Sequence, residues 1–221
     1  MFIKNLYYQF NNALPTMVCN QLITIGTEQT EQYKTTGFIE GTTGGGSGKK
    51  RREVPGHRKS QVCFIQEQWL FNLILPYIDE ANKRAGWFYQ WDQCEAVQFT
   101  QYGVGDYYKW HMDGQSDRDG AYRKKDPAGK KTPKNWIGKV RKLSATIILN
   151  VNYEGGVFEI LSDVPYHDIK TDTMTQEIRT PDIKSPGTIL VFPSYLHHRI
   201  TKITKGVRHS LVVWCLGQPF V

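Results

Sequence analysis

Six short apolar runs, at residues 95–102, 107–112, 143–151, 157–161, 188–192 and 208–216, divide the later part of the chain, with Gly and Pro turns between them. Runs of this length bounded by turn formers read as strands, and a long succession of them points to a sheet-rich fold of the jelly-roll kind. Ahead of them the chain is mixed, with helices expected near residues 16–26 and 66–85. The second carries Trp69, Leu70, Leu73, Ile74, Tyr77 and Ile78 at helical spacing, with Pro76 as a kink and Gly86 as its stop. The expectation is an α+β chain forming one domain, 1–221, in which a helical and mixed region, 1–94, buttresses a jelly-roll core, 95–221.

The last run, R-H-S-L-V-V-W-C-L, alternates so that Arg208, Ser210, Val212 and Trp214 share one face while His209, Leu211, Val213 and Cys215 share the other. Both faces turn apolar after the first residues, so this strand is expected to be covered on both sides. An arginine there needs an anionic partner to offset its desolvation. A dicarboxylate ligand would supply one, and so would a salt bridge to an Asp or Glu at the strand end.

His111 and Asp113 stand two residues apart, and on a strand that spacing aims both side chains at one point. Far downstream, the run ending F-P-S-Y-L-H-H-R adds His197 and His198, adjacent residues that face opposite ways on extended chain and so cannot both reach one metal easily. Two imidazoles and a carboxylate on one face of an octahedron leave the opposite positions open for a bidentate cosubstrate and O2, the donor set of a non-haem iron site. His-x-Asp alone also fits a pair of surface residues. The downstream histidine and Arg208, ten residues beyond His198, make the enzyme reading the stronger one.

On these residues the chain resembles the iron(II) and 2-oxoglutarate dependent dioxygenases, in the prolyl 4-hydroxylase-like branch that includes small bacterial and phage-encoded members. The resemblance is carried by Q-F-T-Q-Y-G-V-G-D-Y-Y-K-W-H-M-D (98–113), L-S-A-T-I-I-L-N (143–150), E-G-G-V-F-E-I (154–160) and P-G-T-I-L-V-F-P-S through Trp214. It implies a double-stranded β-helix, iron(II) held by His111, Asp113 and His198, O2 as co-reactant, and ascorbate as a supporting reductant. The distal carboxylate of the 2-oxoglutarate cosubstrate would pair with Arg208, and the family's F-P-S-x-x-x-H-R pattern selects His198 over His197.

The resemblance also implies that the hydroxyl of Tyr102 touches the cosubstrate, although Tyr102 reads equally well as a core aromatic with its hydroxyl at the rim. Some relatives place a second tyrosine where this chain has Ile148, which implies either a leaner cosubstrate anchor or Thr146 as a further contact. Asp113 argues against halogenation, whose catalysts put a small residue there. Trp214 stands where relatives that repair alkylated nucleic acid carry a second arginine.

The implied reaction is hydroxylation of a C–H bond, foremost on a peptidyl proline, with release of succinate and CO2. The alternatives are oxidative demethylation of nucleic acid and a jelly-roll binding module without turnover. A peptide or protein substrate is expected, with nucleic acid disfavoured.

The opening M-F-I-K-N-L-Y-Y-Q-F lacks a hydrophobic run with a cleavage site, and no stretch approaches membrane-spanning length, so a cytoplasmic protein without membrane contact is expected. Cys19, Cys63, Cys94 and Cys215, without C-x-x-C spacing, read as reduced core thiols. W-F-Y-Q-W (87–91) reads as core. Formal net charge is +7, much of it in two segments. Residues 42–60, glycine-rich and then basic, read as a mobile loop or loose hairpin, and residues 114–142, directly after Asp113, as a lid. Both would recruit an acidic partner or simply stay solvated.

Overall fold

The computed structural model describes residues 5–35, 56–114, 120–125, 131–168 and 173–220. The C-terminal strand organises it. β14 (Arg208–Gly217) pairs on one side with β7 (Val140–Ile148) and on the other with β5 (Val97–Tyr102), and both pairings are antiparallel. Beyond β7 lie β11 (Thr188–Pro193) and β1 (Tyr8–Phe10), and beyond β5 lies β3 (Gln61–Ile65). β4 (Gln93–Cys94) adds to β14 at its far end. A second sheet runs in the order β10 (Thr173–Arg179), β9 (Phe158–Asp168), β12 (His198–Ile200), β6 (Tyr107–His111) and β2 (Arg58–Lys59). A two-stranded ribbon joins β8 (Glu154–Gly155) to β13 (Ile203–Lys205).

Alternation along β14 decides where the two cores lie. Leu211, Val213 and Cys215 point to the same side as Leu143, Ala145 and Ile147 of β7, and that side is covered by α1 (Thr16–Thr35) and α2 (Gln68–Arg84) through Leu22, Leu70, Ile74 and Ile78. Gly26 lets α1 lie directly on the sheet, since a Cβ there would come within 2.3 Å of the Phe99 ring. The other face of the large sheet meets the smaller one in a second core, where Tyr102, Leu190 and Phe192 pack with Phe158, Ile160 and Ile200. The candidate site sits in this second layer.

Several local expectations are corrected. α1 runs nine residues past Gly26, to Thr35. Its last turns, rich in Glu, Gln and Thr, have no apolar period to reveal them, yet Thr30 is buried with its hydroxyl donating to the Gly26 carbonyl at 2.7 Å. In the mixed region before residue 95, β1 and β3 extend the large sheet and β2 edges the small one. The basic segment is not wholly loose: Arg58 and Lys59 pair with Tyr108 and Tyr107, while residues 42–55 lie outside the described residues. In 87–91, Trp87 is buried with its indole N–H on the Asn5 carbonyl, but Phe88 is exposed with φ of 54°. The backbone turns at Phe88, which throws that ring out while its neighbours face in.

Ile147 is fully buried between sheet and helices. Ile147→Ala is expected to cost about 2–5 kcal/mol in urea unfolding, from lost burial and the cavity left behind. His209 stacks on Phe99, and burial followed by the charge of Arg208 pushes its imidazole down from 6.5 to about 4. Folding thus favours the neutral ring, so its contribution is complete above the unfolded value and lost as pH falls from 6.5 through 4. His209→Gln should lose less Tm than the parent over that interval in metal-free protein.

Candidate metal and cosubstrate site

β12 and β6 pair so that His198 stands opposite His111, and this register brings residues 87 positions apart onto one spot. A register shift before Ile200, which pairs with Tyr108, lets both Tyr108 and His111 face inward. Asp113 follows just past the strand end, where its amide and that of Gly114 donate to the Ser194 carbonyl. The result is a cluster of His111, Asp113 and His198 whose ligand atoms all lie within 4.8 Å of one another. His197, by contrast, is exposed while His198 is buried, as alternation demands.

Both rings are oriented the same way. His111 donates Nδ1–H to the Lys109 carbonyl at 2.7 Å and His198 to the Leu196 carbonyl at 3.0 Å, so each presents Nε2 to the cluster. Those Nε2 atoms stand 3.6 and 3.5 Å from the two Asp113 oxygens. Burial pushes the His198 imidazole down to about 4, against the pull of Asp113, leaving a neutral ring with a free lone pair near pH 7. Burial would raise the Asp113 carboxyl, but His198, His111 and Arg141 outweigh it and hold the group well below the usual carboxylate range. Neutral imidazole nitrogens and an ionised carboxylate are the donors a divalent iron requires.

Arg208 enters from the large sheet, with Tyr102 as its register partner on β5. It is 1% exposed, and its guanidinium lies 5.6 Å from the Tyr102 ring centroid. One N–H finds Ser210 Oγ at 2.8 Å, whereas the Nε and Nη2 groups have no hydrogen-bond partner among the described residues. A buried guanidinium with two such donors in its planar fork fits a carboxylate that no described residue provides. Thr146, opposite Val212, lies on the same inner face of the sheet as Arg208 and Ser210, and Ile148 stands opposite Ser210. The geometry therefore brings all six expected residues into one layer, with Thr146 two register positions from Ser210.

Two groups were not anticipated from sequence. Tyr108 stacks on His111 with ring centroids 3.4 Å apart and planes 16° apart, and Arg58 lies over its ring at 4.6 Å. Arg141 forms a clamp: it pairs with both Glu95 oxygens, stacks on Trp214 at 4.0 Å, and donates Nη1–H to the Asp113 carbonyl at 3.0 Å. Arg141 belongs to the segment expected to form a lid. The described parts of that segment instead fasten to the β4 edge, through Tyr122 to Glu95, Asn135 to Gln93 and Lys139 to Asp92. Residues 115–119 and 126–130 lie outside the described residues.

The sequence pattern of the 2OG-Fe(II) oxygenase superfamily matches residues 97–216, from β5 through β14. The chain belongs to this superfamily. Iron(II), 2-oxoglutarate and O2 are what the superfamily implies, and the histidine–aspartate–histidine cluster and the unpaired fork of Arg208 fit the first two. A PKHD-type hydroxylase of Klebsiella pneumoniae is 29% identical over 121 residues, 54% of this chain and 42% of that protein, so the match spans less than half of the relative's length. Among solved structures, a viral collagen prolyl hydroxylase from Paramecium Bursaria Chlorella virus-1 superposes with a TM-score of 0.58 at 16% identity, covering 97% of each chain. A Pseudomonas putida prolyl-4-hydroxylase gives 0.56 at 17%, covering 99% of this chain and 95% of that one. A Trichoplax adhaerens prolyl hydroxylase, solved with a hypoxia inducible factor peptide fragment, gives 0.58 at 17%, covering 96% and 84%. Among the described residues, no helix of this oxygenase is long and apolar enough to cross a membrane.

Alanine at His111, Asp113 or His198 is expected to abolish iron(II) binding measured by anaerobic titration, while His197→Ala binds like the parent. Retention by His198→Ala together with loss in His197→Ala would reverse that assignment. Glu95→Gln releases one arm of Arg141 without touching the cluster, and should weaken iron by about tenfold, at the low end for partners that orient ligands.

Proposed function

We propose that this oxygenase is a double-stranded β-helix hydroxylase that uses iron(II) and 2-oxoglutarate to hydroxylate a peptidyl proline, releasing succinate and CO2. The observation that carries the reading is Arg208, fully buried on the inner face of the large sheet with two donor groups that no described residue pairs. Its alternative partner, an Asp or Glu of the chain, does not appear among its described contacts.

His111, Asp113 and His198 hold the metal, and Arg208 and Ser210 receive the distal carboxylate of 2-oxoglutarate. The fork binds that carboxylate with two parallel N–H bonds and sets the depth to which the cosubstrate enters. Tyr102 walls the carboxylate end, and Thr146 lines the inner face between Arg208 and the cluster. Iron(II) bound there supplies the oxygen activation that couples cosubstrate decarboxylation to attack on an unactivated C–H bond. Phe158 and Phe192, which pack around His198 with centroids 5.6 and 4.7 Å away, exclude water from the back of the site.

Proline as the acceptor is supported by the shared fold of three solved prolyl hydroxylases, one of them holding a peptide. The expected activity appears on a peptide array read by mass spectrometry: proline-containing peptides gain one oxygen only when 2-oxoglutarate is present. Hydroxylation confined to free amino acids, or to residues other than proline, would overturn the acceptor. Arg208→Lys should weaken 2-oxoglutarate binding to the metal-loaded protein, and Arg208→Ala should cost about 2–5 kcal/mol, by analogy with truncating one partner of a buried charged pair. Unchanged affinity in Arg208→Ala would remove it from the role.

A further inference from the structure

Outside the oxygenase site, two thiols meet across a strand pair. Cys94 of β4 and Cys215 of β14 are register partners, and their sulfurs lie 3.1 Å apart. The adjacent Glu95 amide donates to the Trp214 carbonyl at 3.0 Å, which makes the cysteine position the narrow, non-hydrogen-bonded kind, where facing side chains are closest. Backbones at such a position are already within the separation a disulfide spans. The two sulfurs also differ in access: Cys94 is half-buried and Cys215 is fully buried.

We propose that Cys94 and Cys215 form a redox modification site that a hydroperoxide closes to a disulfide. Cys94, the accessible sulfur, attacks hydrogen peroxide, becoming a sulfenic acid as one oxygen transfers and water leaves. Cys215 then attacks the Cys94 sulfur and expels the hydroxyl group, which takes up the Cys215 proton and departs as a second water. Two thiols and one peroxide thus give one disulfide and two waters, with the peroxide reduced. Burial, reinforced by the hydrogen bond with Cys94, pushes the Cys215 thiol well up and keeps it protonated, so first contact with the oxidant falls to the more accessible Cys94.

The position of the pair gives the bond a consequence. Cys94 precedes Glu95 and Cys215 follows Trp214, the two residues that grip Arg141 from either side. A covalent link fixes those grips relative to each other, and through Arg141 it tightens the backbone that carries Asp113. It also closes a loop between residues 121 positions apart, which stabilises the fold.

The test exposes the folded full chain to hydrogen peroxide, removes the oxidant, unfolds the protein and alkylates the remaining thiols. The parent is expected to accept two alkyl groups in place of the four its cysteines offer when reduced, with Cys94 and Cys215 recovered as one linked peptide. The oxidised protein should melt higher than the reduced one, and dithiothreitol should reverse both changes. In Cys215→Ser the Cys94 sulfenic acid has no partner and is captured by dimedone, and Cys94→Ser should keep three alkylatable thiols through the treatment. The proposal is overturned if the folded parent still accepts four alkyl groups. It is equally overturned if the link involves Cys19 or Cys63, or if Cys94 accumulates as sulfinic acid beside a free Cys215.

Discussion

A guanidinium almost wholly removed from water, with two of its donor groups unpaired among the described residues, is the constraint on which the rest of the structure turns. Burying an unpaired charge costs several kcal/mol, and a protein accepts that cost where a ligand repays it. Arg208 opens β14, the strand that pairs with both β5 and β7, so its location follows from the same ladder that builds the large sheet. The face that carries Arg208 carries Ser210 and Trp214 as well, while the opposite face anchors the helices through Leu211, Val213 and Cys215. One alternating strand therefore joins the structural core to the Arg208 end of the candidate site.

The histidine–aspartate–histidine cluster depends on a different pairing. β12 is only three residues long, yet it places His198 against His111 and sets His198 beside Phe158 and Phe192. Each imidazole is locked by a main-chain carbonyl two residues earlier, so the backbone itself chooses the tautomer. Asp113 lies past the end of its strand and needs a separate hold, which Ser194 and the Arg141 clamp supply. Burial would lower the Arg141 guanidinium, but Glu95, together with Tyr122 and Asp113, outweighs it and raises the group above its ordinary value. The clamp is thus a fixed positive group next to the Asp113 carboxylate.

Much of this was legible in the sequence, for physical reasons. The six apolar runs correspond to β5, β6, β7, β9, β11 and β14, because each is long enough for alternation and turn residues to mark it. His111, Asp113, His198 and Arg208 stood out by spacing and residue chemistry; alternation said only that His197 and His198 face opposite ways, and the family pattern picked His198. The short strands β2, β4, β12 and β13 were not, since two or three residues carry no period and their existence depends on partners distant in the chain. Arg141 was missed because it lies at the end of a charge-rich stretch that reads as solvated loop. Glu95, which opens an apolar run, was the one trace of its partner. Tyr108 was hidden by the register shift, which turns inward a residue that strict alternation from His111 would send out.

The central claim is that the histidine–aspartate–histidine cluster and Arg208 grip opposite ends of one cosubstrate. Iron anomalous diffraction from anaerobic crystals grown with iron(II) and 2-oxoglutarate tests it most directly. The predicted result is a single iron peak about 2 Å from His111 Nε2, His198 Nε2 and an Asp113 oxygen, within ordinary metal-ligand range. Continuous ligand density should run from that peak to the Arg208 fork. An iron peak elsewhere, or a cosubstrate whose distal carboxylate pairs with another cation while Arg208 stays unpaired, would contradict it.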